Sequence, residues 1–114
     1  MSGDLEPKRL YAHPGSVLPR YSRKEQLPHK AIGMSRESAA LVDRLRNRVI
    51  WTTTPTRISG RIGITGPIPR TADFEDAGGP FFLDPECTRP DSILDDQAIW
   101  IQTRKGIVVV LGCA

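Results

Sequence analysis

Gln97-Ala98-Ile99-Trp100-Ile101-Gln102-Thr103-Arg104-Lys105-Gly106-Ile107-Val108-Val109-Val110-Leu111 decides the fold class. Its first seven residues alternate, which puts Ile99 and Ile101 on one face of a strand, because successive side chains of an extended backbone point to opposite sides. Arg104-Lys105-Gly106 reads as a hairpin turn, with glycine where a positive φ is needed. Ile107 to Leu111 is continuously apolar, the pattern of a strand buried on both faces. Residues 97–112 are therefore expected to form a hairpin whose second strand needs cover on both sides.

Upstream, residues 67–94 are expected to be a long acidic loop, broken by Gly78-Gly79-Pro80, Pro85 and Pro90 and anchored by Phe81-Phe82-Leu83. Residues 49–66 read as strands. Val49 to Thr54 is β-branched and aromatic until Pro55 stops it, and Arg57-Ile58 and Ile62-Gly63-Ile64 are short extended pieces around Gly60. Residues 35–48 are the one clear helix. Ser35 suits the N-cap and Glu37 the positive end, Ala39, Val42, Leu45 and Val49 form an apolar stripe, and Arg44, Arg46 and Arg48 suit the negative end. Residues 1–34 read as an edge strand near Arg9–Ala12, a turn at His13-Pro14-Gly15 and a loop from Ser16 to Gly33.

The expected class is α/β in the broad sense, α+β more narrowly: a mixed or antiparallel sheet with one helix, in a single domain over 1–114. One striped helix cannot cover both faces of Ile107–Leu111, and the chain stops three residues after that strand. The organisation therefore implies a partial domain.

Composition narrows the function classes. Of 114 residues, 39% are hydrophobic and 25% charged, and Ile, Leu, Val and Phe number 28, enough for a modest core and too many for a disordered chain. Ten glycines and ten prolines argue against a helical bundle. No apolar run approaches the ~18 residues of a membrane helix, and residues 1–10 lack a signal-peptide stretch, so no membrane partner is expected. Cys87 and Cys113 form neither a disulfide framework nor a CxxC pair, which makes a reducing, cytoplasmic setting the expectation. The net charge is +3, yet residues 73–96 hold eight acids against Arg89 alone. A dedicated nucleic-acid binder carries a more uniformly basic surface.

Few residues invite chemistry. His13 and His29 are sixteen apart, with no HxH, HxxxH or HExxH spacing. His13 before a proline suits a turn as well as a ligand site. Asp95-Asp96 could bind a cation or act as acid and base, although neighbouring side chains in extended backbone diverge, and a turn into a strand accounts for the pair equally. Arg70, behind Pro67-Ile68-Pro69, could meet a phosphate or carboxylate, or pair with the acidic loop. Cys113 reads as a small buried hydrophobe or, lacking a nearby base, a weaker candidate thiol.

Thr65-Gly66-Pro67-Ile68-Pro69-Arg70-Thr71, Phe74-Glu75, Pro90-Asp91-Ser92-Ile93-Leu94-Asp95-Asp96-Gln97-Ala98 and Lys105 through Ala114, in this order and spacing, resemble the metallo-β-lactamase-fold hydrolases. Within them the chain is similar to the dihydropterin ribofuranosylaminobenzene-phosphate synthase-like subgroup. Leu10 through Pro14 and Ile32-Gly33-Met34-Ser35 are similar to it as well.

The resemblance implies a four-layer αββα sandwich, two divalent ions (zinc, manganese or iron), a small-molecule substrate, and an active-site mouth bordered by Ser16–Gly33 and Ile68–Leu94. Paired ions in such a centre generate hydroxide at neutral pH. That family grips its ions with HxHxDH, upstream of the region that Leu10–Pro14 resembles, and with a histidine directly after Gly-Cys-(Ala/Ser). Neither is in this sequence. The resemblance thus implies an internal piece of a hydrolase, inactive alone, with no metal ligands or catalytic residues of its own. His13, Arg70, Asp95 and Asp96 are the candidates for touching substrate or steadying the groups that do. The alternative is a non-enzymatic module, pairing its exposed strand with a protein partner or a second copy. Weak nucleic-acid binding through Arg36, Arg44, Arg46 and Arg48 is less expected, since few aromatics are available to stack on bases.

Overall fold

A computed structural model describes residues 8–71 and 79–112. Its elements run β1 (Leu10–Ala12), β2 (Tyr21–Ser22), β3 (Lys30–Ala31), α1 (Arg36–Arg44), β4 (Val49–Trp51), β5 (Thr56–Ser59), β6 (Ile62–Ile64), β7 (Phe81–Phe82), β8 (Ala98–Thr103) and β9 (Gly106–Leu111). The class is mixed α+β. β1 and β4 pair in parallel, β3-β2-β7 make a small antiparallel sheet, and β5-β6-β8-β9 make a larger one.

The hairpin forms in the expected place. Thr103 pairs with Gly106 across a two-residue turn, and Gly106 has φ 139°, which a side chain would resist. Register puts Ile62, Ile64, Ile99, Ile101, Val108 and Val110 on one face, since directly paired residues share a side. On the opposite face the Trp100 ring lies over Gly63, where a Cβ would come within 2.3 Å of it, and the Arg57 guanidinium sits 5.1 Å from the ring centre.

The reading of Ile107–Leu111 as a strand buried on both faces is overturned. β9 is the edge of its sheet, and these five residues are 49–66% exposed. An apolar run establishes that a strand can be buried; a facing layer decides whether it is. Among the described residues the buried apolar side chains are Ile64, Phe82, Cys87 and Ala98.

Three boundaries also shift. The loop from Ser16 to Gly33 contains β2 and β3, and the acidic loop contains β7, which pairs with β2. Two-residue strands are too short to show a period in sequence. The helix expected over 35–48 ends at Arg44, followed by a 3₁₀ turn at Arg46–Arg48. The Leu45 N–H is shared between the Leu41 and Val42 carbonyls at 3.0 and 3.1 Å, which marks the tightening from four-residue to three-residue bonding. Ser35 caps the helix as expected, its hydroxyl accepting the Ser38 N–H. The stripe residues Ala39, Val42, Leu45 and Val49 are half-buried. Asp73, Phe74, Glu75, Asp76 and Cys113 lie outside the described residues.

Buried polar groups tie the pieces together. Thr52 is fully buried; its N–H donates to the Ala12 carbonyl at 2.8 Å and its hydroxyl to Gln97 Oε1 at 3.0 Å, linking the parallel pair to the start of β8. Thr52→Val keeps the shape and strands that acceptor. It is expected to cost about 1–3 kcal/mol, read as a lower urea midpoint at unchanged slope.

The loop after β7 is organised by buried Asp84, whose carboxylate accepts the Thr88 hydroxyl and the Thr88 and Arg89 N–H groups. The Thr88 hydroxyl foremost, then those N–H groups and the Arg89 charge, outweigh burial and hold Asp84 below the usual carboxylate range. A depressed folded value means that its stabilisation is complete above the unfolded value of about 3.9 and is lost as pH falls through the folded one. Melting temperatures between pH 5 and 2 should therefore fall less steeply in Asp84→Asn than in the parent. Beside it, burial pushes the Cys87 thiol up, opposed by the Arg23 charge; Arg23 also donates to the Cys87 carbonyl at 3.0 Å and lies 4.4 Å from the Phe82 ring centre.

Candidate functional site

Thr65-Gly66-Pro67-Ile68-Pro69-Arg70 is pinned along Asp96-Gln97-Ala98. The Thr65 N–H donates to the Ala98 carbonyl and its hydroxyl accepts the Ala98 N–H, both at 2.9 Å. The Ile68 N–H donates to the Asp96 carbonyl at 2.9 Å, and Arg70 Nη2 donates to Asp96 Oδ2 at 3.2 Å. Proline has no N–H to offer, so Ile68 carries the one backbone donor of Pro67-Ile68-Pro69, and that donor is bonded, while the two rings stiffen the segment. Gly66 (φ 73°) turns the chain from β6 into this segment against Thr54 and Pro55.

A third segment closes on these two. Arg20 Nε donates to Asp91 Oδ2 at 2.8 Å, with both side chains at most 15% exposed. Asp91 Oδ1 accepts the Ile93 N–H at 2.8 Å, which helps hold Ile93 at φ 53°. A Cβ on Gly15 would sit 3.2 Å from Asp95 Cβ and 3.1 Å from His13 Nδ1, so the His13 turn and the Asp95 loop are in close contact.

Between the three segments opens a cleft of about 780 Å³, lined by His13, Pro67, Ile68, Pro69, Arg70, Ser92 and Leu94. Two candidates, His13 and Arg70, border it directly. Asp96 is buried behind Arg70. Asp95 borders a smaller neighbouring recess with Asp96, Gln97 and Gly112. Of the two readings left open for Arg70, pairing with the acidic segment is the observed one. The pairing also aims the side chain at the cleft wall.

The His13 ring is oriented by the turn it opens. Its Nδ1 accepts the Gly15 N–H at 2.9 Å, which leaves Nε2 as the protonated nitrogen of the neutral ring. A protonated Nε2 is a donor and cannot ligate an ion. Among the described residues no three His, Cys, Asp or Glu side chains converge to hold a metal. Asp91 and Asp96 are committed to arginines, and Asp84 to Thr88 and Arg89. The donors of the described residues do not fit a dinuclear centre.

Sequence reasoning did not single out Arg20, Ser92 or Leu94. Ser92 and Leu94 lie inside the Pro90–Ala98 run, where position in that segment was the only signal. The Arg20–Asp91 pair spans 71 residues with no local pattern to betray it. Among the described residues no helix is long and apolar enough to cross a membrane. No protein-family model matches the chain, and neither does any curated protein.

Proposed function

We propose that this chain supplies the substrate-binding part of a metal-dependent hydrolase built on the metallo-β-lactamase sandwich, and that it is inactive alone. One observation supports the reading most. Two of the segments that carry the resemblance, 65–71 and 90–98, lie side by side and open with His13 onto a single cleft. The sheet adds support: the aliphatic face is buried at Ile64 and about half exposed at Val108 and Val110, as expected of a layer whose facing layer comes from other residues.

In this reading the chain binds and orients the substrate, while histidines beyond this sequence hold the ions. The test is to add zinc, manganese or iron to the purified chain and measure metal stoichiometry and phosphodiesterase turnover. Neither tight stoichiometric metal nor turnover is expected; turnover would overturn the inactivity. Flanking DNA encoding HxHxDH upstream and histidine directly after Ala114 would support the parent enzyme, and other codons at both places would overturn it.

The exposed β9 edge favours a second reading, a non-enzymatic module that pairs this strand with a protein partner or with itself. A sharp, concentration-dependent thermal transition supports that module. A broad transition with dye-binding apolar surface supports the hydrolase piece.

A further inference from the structure

We propose that the recess between the β5–β6 and β8–β9 turns is a binding site for a diphosphate or triphosphate group. β8 enters beside the cleft of His13 and Arg70 at Ala98 and leaves beside this recess at Thr103, roughly 17 Å of extended chain away. The two sites are therefore separate, and neither assignment depends on the other.

Strand pairing brings the turns together. Ile62 faces Ile101 in the antiparallel register, which sets Arg61 beside Gln102, and the Gln102 N–H donates to the Arg61 carbonyl at 2.7 Å. The recess holds about 320 Å³ and is lined by Gly60, Arg61, Gln102, Thr103 and Arg104, with Lys105 next in the same turn. That is the lower end of the roughly 300–1,000 Å³ of small-molecule sites, enough for a short phosphate chain.

The cations at this end of the sheet are not neutralised. Among the described residues Arg61, Arg104 and Lys105 meet no carboxylate, and the ion pairs form elsewhere, between Arg20 and Asp91, Arg46 and Asp43, and Arg70 and Asp96. Like charges gathered on two neighbouring turns raise the local potential, and an anion of more than one charge relieves it. Arginine presents a planar fork that matches paired phosphoryl oxygens. One fork on each turn suits two linked phosphates better than a single oxyanion.

Both turns are braced by their own hydrogen bonds. Arg57 Nη1 donates to the Gly60 carbonyl at 3.0 Å while its guanidinium lies over Trp100, and the Ser59 hydroxyl accepts the Arg61 N–H at 3.3 Å. Across the recess the Thr103 hydroxyl donates to the Gly106 carbonyl at 2.8 Å and accepts the Lys105 N–H at 3.2 Å. The frame is fixed while the Arg61 and Arg104 side chains stay exposed, which lowers the ordering cost of binding.

The experiment is a metal-free NMR titration of the full chain, following the amides of Gly60, Arg61, Gln102, Thr103 and Arg104. The probes are pyrophosphate, tripolyphosphate, ADP, inorganic phosphate and citrate. Pyrophosphate or tripolyphosphate is expected to shift these amides with a Kd of about 1 mM at low salt, and at least about fivefold more weakly in about 0.5 M NaCl. Inorganic phosphate, with one phosphoryl group, and citrate, with carboxylates only, should bind at least about fivefold more weakly than pyrophosphate. ADP binding more tightly than pyrophosphate assigns a nucleotide as the source of the group; ADP binding no more tightly assigns a free phosphate chain.

Arg61→Gln and Arg104→Gln should each weaken pyrophosphate about fivefold at an unchanged melting temperature, because both side chains are exposed. Arg36→Gln removes the same charge from the start of α1 and should leave the Kd unchanged. Equal binding of citrate, equal losses in all three variants, shifts confined to residues outside the two turns, or no shift at tenfold the expected Kd overturns the inference.

Discussion

Gly66→Val is expected to lower stability by roughly 3 kcal/mol, combining the cost of a left-handed backbone for a side chain with that of overpacking. At φ 73° a Cβ would lie 2.7 Å from the Thr54 carbonyl carbon and 3.0 Å from the Pro55 nitrogen. Both obstacles are backbone, so no rotamer change relieves the contact. Displacing this turn also moves Pro67–Arg70, the wall of the cleft, and the Ile68 and Arg70 bonds to Asp96 should go with it. Small domains are held by only about 5–15 kcal/mol, so a large share of the total is lost. The measurement is a urea midpoint compared with Gly60→Ala, whose Cβ would meet nothing within 4 Å. That control should stay within about 0.5 kcal/mol of the parent. A Gly66→Val protein as stable as the control would show that the turn is not held as described.

Asp96→Ala should cost about 2 kcal/mol, as expected for a hydrogen bond to a charged group in a nearly buried setting, or about 10 °C in melting temperature. The loss is not larger because Arg70 is partly exposed and recovers water. The exposed Arg46–Asp43 pair provides the contrast, since both its side chains are more than two-thirds accessible. Double-mutant cycles should give a coupling of at least about 1 kcal/mol for Arg70–Asp96 and no more than about 0.5 for Arg46–Asp43. Similar couplings would mean that burial around Asp96 does not strengthen the pair. Asp96→Ala should also free the Arg70 side chain, so its effect on cleft binding tests whether orientation or mere presence of the guanidinium matters.

Legibility followed the range of the interactions. The β8–β9 hairpin, its glycine turn and the Ser35 cap are set by neighbours within a few residues, and each was readable. The His13 turn was readable for the same reason, as histidine, proline and glycine together leave the chain few options. The two-residue strands β2, β3 and β7 exist only through pairing with distant segments, so nothing local announces them. Arg70 is instructive. Its stiff proline frame was visible, but the choice of Asp96 as partner required Ile68 to bond the Asp96 backbone, 28 residues away. Asp95 and Asp96, adjacent and chemically alike, were given different neighbours by the fold: Asp96 is buried against Arg70, Asp95 packs on Gly15, and both border the smaller recess.

By itself the sequence determined where the helix and the strands other than β2, β3 and β7 could form, that Gly106 must turn the chain, and that Ile107–Leu111 is apolar enough for a sheet interior. Those properties depend on backbone sterics and on side chains close along the chain. Tertiary structure alone decided that β9 is an edge, that 65–70 lies against 96–98, and that His13, Arg70 and Ser92 face one cleft. Burial and convergence depend on which surfaces meet in space, and residues tens of positions apart carry no mark of that meeting until the chain has folded.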